Sequence, residues 1–275
     1  MTAPSPSDSS PLSFPLFVPA DRPDRFAKAC AAARDSVVID VEDAVAPESK
    51  AAVRRIPEGA LPQDRKVRLF LRVNAAGTPW YRDDVGFALA AGFDGVMLPK
   101  TESGAQITAL RAALAPGMEV IALVETALGL SRAEEIAAAA DRLAFGSLDM
   151  AEDLRCAHAR LPLLMARARL VMAARLAGKP APLDGVTAST EDAALITDDA
   201  RHAAEMGFGG KLLIHPRQIA PALAGFRPDP DLIDWARRVV TASADGSAVS
   251  VDGTMVDAPV VARARRILKR AETQP

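Results

Sequence analysis

At 275 residues the chain can bury the core of one large α/β barrel or of two ordinary domains. With 49% hydrophobic and 25% charged residues and a mean hydropathy of +0.09, its composition is that of a folded globular protein and excludes wholesale disorder. Lys and Arg number 33 against 35 Asp and Glu, and the resulting formal charge of -2 gives no global attraction for nucleic acid or an anionic membrane.

The N-terminal residues 1–13 are rich in Pro and Ser, lack a basic stretch followed by an apolar one, and read as a disordered tail rather than a secretory signal. No apolar run approaches the ~18 residues of a spanning helix. From residue 14 onward, short aliphatic runs alternate with longer Ala-rich amphipathic segments, the pattern of βα units around a buried parallel sheet. The expected strands are 15–20, 36–43, 67–74, 95–100, 119–125, 142–147, 183–188 and 211–216. Segments such as DRFAKACAAAR and TEDAALITDDARHAAEMGF between them carry apolar residues at helical spacing. Eight such units predict a (β/α)8 TIM barrel over 14–228. An open doubly wound sheet is the competing arrangement, but the first βα turn, PADRPDRF, has no glycine-rich phosphate loop. Residues 229–275 form a helical extension, with Asp252 and Gly253 marking a tight turn before a terminal amphipathic helix. Cys30 and Cys156 lack CxxC spacing and read as reduced thiols of a cytoplasmic protein.

Barrel chemistry gathers at the C-terminal ends of strands, so the polar residues that end the apolar runs are the candidates. They are Asp40, Glu42 and Asp43, Arg72 and Asn74, Lys100, Glu125, Ser147 with Asp149, and His215. Glu125 and Asp149, on consecutive strand ends without Cys or His beside them, make a hard oxygen site suited to Mg2+; each is also readable as a helix cap or first-turn acid. Arg72 can grip a carboxylate through two hydrogen bonds, or form an ion pair with Asp40, Glu42 or Asp43. A buried Lys100 could form a Schiff base, but the surrounding acids would raise its pKa and argue against it. His215, followed by Pro216, reads as a structural residue of a sharp turn. His158 and His202 lie away from strand ends, and no GxSxG elbow is present.

The strings LFVPADRPDRFAKA, VVIDVEDAVAPESK, LRVN, GVMLPKTES, ALVETALGL, FGSLDMAEDL, KLLIHPRQI and MVDAP, in this order, carry a resemblance. The chain resembles the citrate lyase beta-subunit-like proteins of the HpcH/HpaI aldolase group, which include malyl-CoA and citramalyl-CoA lyases. That resemblance implies a barrel, Mg2+ held by Glu125 and Asp149, and Arg72 contacting the oxo acid; Glu42 and Asp43, read from their place in the strand-two cluster of acids, are expected to surround Arg72 and the metal waters as substrate-site residues. The resemblance also implies a coenzyme A or acyl-carrier thioester substrate, and a catalytic acid at Asp257 of MVDAP that serves a neighbouring subunit of a homo-oligomer, a trimer. Taken alone, Asp257 before Ala-Pro reads as a helix N-cap. The expected function is Mg2+-dependent cleavage or formation of a 3-hydroxyacyl thioester of malyl-CoA or citramalyl-CoA type. The alternatives are a citrate lyase beta subunit acting on carrier-bound citryl groups and a non-catalytic oxo-acid-binding barrel. The stretch RCAHARLPLLMARARL after FGSLDMAEDL departs from the family pattern and leaves the substrate open.

Overall fold

A computed structural model describes residues 13–57, 59–62, 64–243 and 249–272. The apolar runs form six strands, β1 (Leu16–Pro19), β2 (Ser36–Asp40), β3 (Arg68–Arg72), β4 (Gly95–Leu98), β5 (Glu119–Val124) and β6 (Arg142–Phe145). They pair in parallel in chain order, β1 to β6. The intervening helices are α1 (Phe26–Ala32), α2 (Lys50–Val53), α3 (Tyr81–Ala90), α4 (Gly104–Ala113), α5 (Ala127–Ser131), α6 (Ala133–Ala139), α7 (Ser147–Asp153), α8 (Leu164–Leu176), α9 (Ala193–Met206) and α10 (Ile219–Phe226). The result is an α/β fold with a parallel half-barrel sheet.

The two remaining expected strands, 183–188 and 211–216, appear only as isolated parallel bridges. Phe145 N donates to Leu183 O (2.9 Å), Asp184 N to Gly210 O (3.0 Å) and Phe17 N to Leu213 O (2.8 Å), so these bridges lead from β6 round to β1. Within the seventh run Gly185 lies close against Ser147, where a Cβ would collide with the Ser147 side chain. Ser13, assigned by composition to the tail, bridges Gly210, and its hydroxyl donates to Asp35 at 2.5 Å; the rest of the expected tail, 1–12, lies outside the described residues.

Alternation along the strands sorts side chains into two cores, because successive residues point to opposite faces. Val37, Ile39, Leu69, Leu71, Val96 and Leu98 belong to the larger core, shared with helix residues such as Ile107, Ile136 and Leu170. Val38, Phe70, Met97, Ile121, Leu123, Ala144, Leu183 and Leu212, with Phe17 and Val186 against them, form a second cluster that contains no helix residue.

The extension consists of α11 (Pro230–Ala242), a hairpin of β7 (Val249–Val251) and β8 (Thr254–Val256), and α12 (Ala258–Glu272). Asp252 (φ 52) and Gly253 (φ 76) supply the two left-handed residues of the hairpin turn, as their sequence predicts. Ala236, Val239, Val251, Val256 and Ala264 form its small core, against which Val260, Val261, Ile267 and Leu268 of α12 pack. The Arg270 guanidinium lies 5.3 Å from the Phe226 ring centroid and ties α12 to α10. Among the described residues, no helix is long and apolar enough to cross a membrane.

Candidate active site at the strand ends

Asp43, Arg72, Glu125 and Asp149 line a cavity of about 230 Å³ at the C-terminal ends of the strands. Four of the residues read from the sequence are thus brought together from four separate βα units.

Glu125 directly follows β5, whose residues are buried from Val120 to Val124, so its carboxylate leaves the core while still 2% exposed. Its Oε1 accepts a hydrogen bond from Lys100 N at 2.7 Å. Burial, with the charges of Asp149 and Glu42 added, pushes its pKa up to about 8 against the opposing effects of Lys100 N and Arg72. Gly146 completes the cradle, because a Cβ at that position would collide with the Glu125 side chain. Asp149 differs from the strand-end placement expected for it. It lies beyond β6 in the first turn of α7, half-buried, where an acid also favours the helix N-terminus.

Arg72 ends β3 and is the register partner of Asp40 at the end of β2. Neighbours on one sheet face, they form a two-point pair, Nε–Oδ1 at 2.8 Å and Nη2–Oδ2 at 2.6 Å. Arg72 Nη1 lies 3.1 Å from Glu42 Oε2 and 3.8 Å from Asp43 Oδ2, and the guanidinium stacks over Phe17 with 5.1 Å to the ring centroid. Burial works against the Arg72 charge, but Asp40, Glu42 and Glu125 more than offset it and hold the pKa above its ordinary value. The ion-pair reading is therefore realised, and it coexists with a place on the cavity wall.

Glu42, 4% exposed, is not on that wall; it lies behind Arg72 and accepts from Lys100 Nζ. Burial raises its pKa while Arg72 and Lys100 pull it back. Burial also opposes the charge of Lys100, yet Glu42, Asp43 and Glu125 leave its pKa raised, the opposite of what a Schiff-base lysine needs. His215 accepts from Arg217 N through Nδ1 at 3.1 Å and caps the turn 216–218, the structural role expected of it.

The burial of Lys50 and the pairing of Ser147 with His158 are not read from the sequence. Lys50, on α2, is 6% exposed and donates to Val41 O (3.0 Å), Glu42 O (2.7 Å) and Asn74 Oδ1 (2.6 Å), pinning the loop that carries Glu42. Ser147 Oγ and His158 Nε2 are hydrogen-bonded at 2.9 Å, which brings the departing segment after α7 against the cavity wall. Asp257 is not among the cavity-lining residues of its own chain; it is exposed, and its Oδ1 accepts from Val260 N at 3.1 Å as the N-cap of α12. Cys30 and Cys156 are free thiols.

The donor set fits a hard divalent cation. Among the described residues no group of three or more His, Cys, Asp or Glu side chains is placed to hold a metal. The pair Glu125 and Asp149 suits Mg2+, which is bound through one or two carboxylates and keeps several waters. A carboxyl whose pKa is raised by burial, and further by neighbouring acids, is a group that a cation would return to its ionised form.

The family model described as HpcH/HpaI aldolase/citrate lyase matches residues 13–216. The chain is 39% identical over 267 residues to the citrate lyase subunit beta-like protein of Mycobacterium tuberculosis (strain CDC 1551 / Oshkosh), covering 93% of this chain and 94% of that protein. It is 36% identical over 279 residues to citrate lyase subunit beta of Escherichia coli (strain K12), covering 94% and 92%. Among solved structures, protein CitE from Mycobacterium tuberculosis in complex with magnesium, acetoacetate and coenzyme A superposes with a TM-score of 0.84 at 38% identity, covering 96% of this chain and 99% of that one. The chain belongs to the HpcH/HpaI aldolase/citrate lyase family and is an enzyme of the carbon–carbon lyase class.

Proposed function

We propose that this chain is a Mg2+-dependent lyase that cleaves or forms a 3-hydroxyacyl-CoA thioester of malyl-CoA or citramalyl-CoA type, exchanging it with acetyl-CoA and a 2-oxo acid. The observation that carries the reading is the buried Glu125 carboxyl facing Asp149 and Arg72 across one cavity. The relative crystallised with magnesium, acetoacetate and coenzyme A supports the ligand classes. The architecture is read as a complete (β/α)8 barrel, supported by residues of all eight runs packing together with no helix among them.

Glu125 and Asp149 would hold the Mg2+, which supplies Lewis-acid polarisation of the oxo-acid oxygens. Arg72, oriented by Asp40 and Phe17 before substrate arrives, offers fixed positive charge where oxygen charge develops as the carbon–carbon bond breaks. Asp43 shares the wall, and Glu42 fixes Arg72 and Lys100 from behind. The thioester enolate left by cleavage takes a proton at its terminal carbon; in the reverse direction that proton is removed. We assign this step to Asp257 of a neighbouring copy in a homo-oligomer, read as a trimer. The 229–275 extension would then be the element each chain lends its neighbour. The free thiols Cys30 and Cys156 fit a reducing cytoplasm.

A citrate lyase beta subunit acting on a carrier-bound citryl group is the second reading, favoured by the 36% identity to the Escherichia coli protein. Assaying the isolated chain against a panel of 3-hydroxyacyl-CoA thioesters, with Mg2+ and with chelator, tests both. Chelator-sensitive turnover of free CoA thioesters is the expected result; turnover only with an acyl carrier favours the second reading, and binding of oxo acids without any turnover would remove the lyase function.

A further inference from the structure

Three non-glycine residues among those described have φ in the left-handed region, where a Cβ crowds the backbone. Two have local reasons. Asp252 turns the hairpin, and Arg155 ends α7, with Cys156 N bonded back to Ala151 O at 2.9 Å. Lys100, at φ 47, closes no helix and turns no hairpin; it stands two residues beyond β4, where glycine would carry no penalty. A side-chain-bearing residue keeps such a conformation only where its surroundings fix it.

The surroundings of Lys100 do so from three directions. On its C-terminal side Thr101 is fully buried, with its N bonded to Leu123 O at 3.1 Å and its Oγ1 to Leu98 O at 2.8 Å. At its own backbone, Lys100 N donates to Glu125 Oε1 at 2.7 Å. At the end of its side chain, Nζ donates to Glu42 Oε1, while Glu42 Oε2 lies 3.1 Å from Arg72 Nη1. Glu42 is in turn a fixed point, because Lys50 donates to its carbonyl oxygen at 2.7 Å. The side chain and the backbone N–H of one residue thus reach two different buried acids.

From this we infer that Lys100 is a positioning residue of the metal site: its tie to Glu42 holds a left-handed backbone that aims the Lys100 N–H at Glu125 and fixes that carboxylate for the cation. This rests on the reading of Glu125 and Asp149 as the Mg2+ pair. Lys100 does not line the cavity, so it acts through Glu125. The Lys100 N–H engages Oε1, and Oε2 lies so close over Gly146 that a Cβ there would collide with it, so both oxygens are confined. A ligand confined before the cation arrives loses less freedom on binding it. Charge alone predicts the opposite effect. An ammonium near Glu125 repels a divalent cation, so its removal would tighten Mg2+ on electrostatics, whereas lost positioning weakens it.

Mg2+ binding to the full-length chain is measured by calorimetry for the wild type, Lys100→Gly, Lys100→Met, Lys100→Arg and Glu125→Gln, with urea unfolding of each in chelator. Lys100→Gly and Lys100→Met are expected to bind Mg2+ ~10-fold more weakly, the lower end of the range for losing an outer partner of a metal ligand. Lys100→Arg, whose guanidinium can reach Glu42, should recover most of that loss. In chelator, Lys100→Gly should unfold at a higher urea concentration than Lys100→Met, because glycine takes the left-handed conformation without crowding. Metal affinity that falls in the variant relieved of backbone crowding is a split that a merely structural role does not produce. Unchanged or tighter Mg2+ binding in Lys100→Gly and Lys100→Met overturns the inference, as does a loss that a folded Lys100→Arg protein does not reverse. Mg2+ binding that survives Glu125→Gln unchanged would instead remove the metal reading, and the inference with it, whatever the Lys100 variants do.

Discussion

Glu125→Gln should make the metal-free protein more stable at alkaline pH, and the size of the effect follows from its burial. In the unfolded chain this carboxyl ionises near 4.5, whereas in the fold, 2% exposed and beside Asp149, it ionises at about 8. Between those values the folded state holds a proton that the unfolded chain has released. The stability present below pH 4.5 is therefore lost progressively and is gone once the pH passes 8. At about 1.4 kcal/mol per pH unit, that interval is worth about 5 kcal/mol, an order-of-magnitude ceiling. A glutamine retains the shape and can still accept from Lys100 N, so it lacks only the titration. Urea unfolding of both proteins in chelator, at pH 5 and pH 9, measures the difference and cancels the titrating groups that do not interact with Glu125. The wild type should lose several kcal/mol relative to the variant over that range, and added Mg2+ should restore stability to the wild type alone. Parallel stability curves for the two proteins would refute the reasoning and mean that Glu125 ionises in the fold as it does in water.

What the sequence could reveal depended on whether the cause was local. The six strands were legible because parallel strands covered on both faces read as continuous apolar runs, as Val37 to Ile39 and Val120 to Val124 do. The seventh and eighth runs, LDGVTA and KLLIHP, are shorter in apolar residues and pair only at isolated bridges. Glu125 was found because a carboxylate ending a buried strand is a local anomaly. For Asp149 the strand-end and first-turn readings both stood open, and the second is realised, since the chain enters α7 at Ser147 and carries the acid into a helical turn. The Arg72–Asp40 pair was one of several open options, and only strand register, which aligns residues 32 apart in the chain, selected Asp40. Lys50 gave no signal, because a lysine in a short Ala-rich helix looks solvated. Asn74 and Trp80, both in the segment between β3 and α3, close over it. His158 was set aside for lying off a strand end, yet the segment folds back to bring it to Ser147.

Arg72→Lys should keep the fold and lose at least ~100-fold in kcat/KM, because an ammonium cannot reproduce the two-point pairing with Asp40 and present charge to the cavity at once; near-normal turnover would remove Arg72 from the reaction. Lys50→Met leaves Asn74 Oδ1 without its donor, while Val41 O keeps Asn74 Nδ2 and Glu42 O keeps Val45 N, and should cost ~1–3 kcal/mol in urea unfolding, the usual penalty for a stranded buried acceptor; a loss within error would mean that the loop rearranges freely. Asp257 allows its two readings to be separated. As the N-cap of α12 it contributes ~1 kcal/mol, which Asp257→Ala forfeits and Asp257→Asn retains, since asparagine caps as well as aspartate. As an acid it must hold a proton that asparagine cannot give. If Asp257 only caps, Asp257→Asn is as stable and as active as the wild type; if it also protonates the enolate, that variant melts normally, binds Mg2+ and is nearly inactive. Its distance from the cavity of its own chain then requires a neighbour's cavity. Mixing inactive Asp257→Asn chains with inactive Glu125→Gln chains would restore about a quarter of the sites in a randomly mixed ring, because each working site needs one intact contribution from each of two neighbours. Subunit exchange confirmed by mass spectrometry without any return of activity would exclude a shared site and leave Asp257 as a cap.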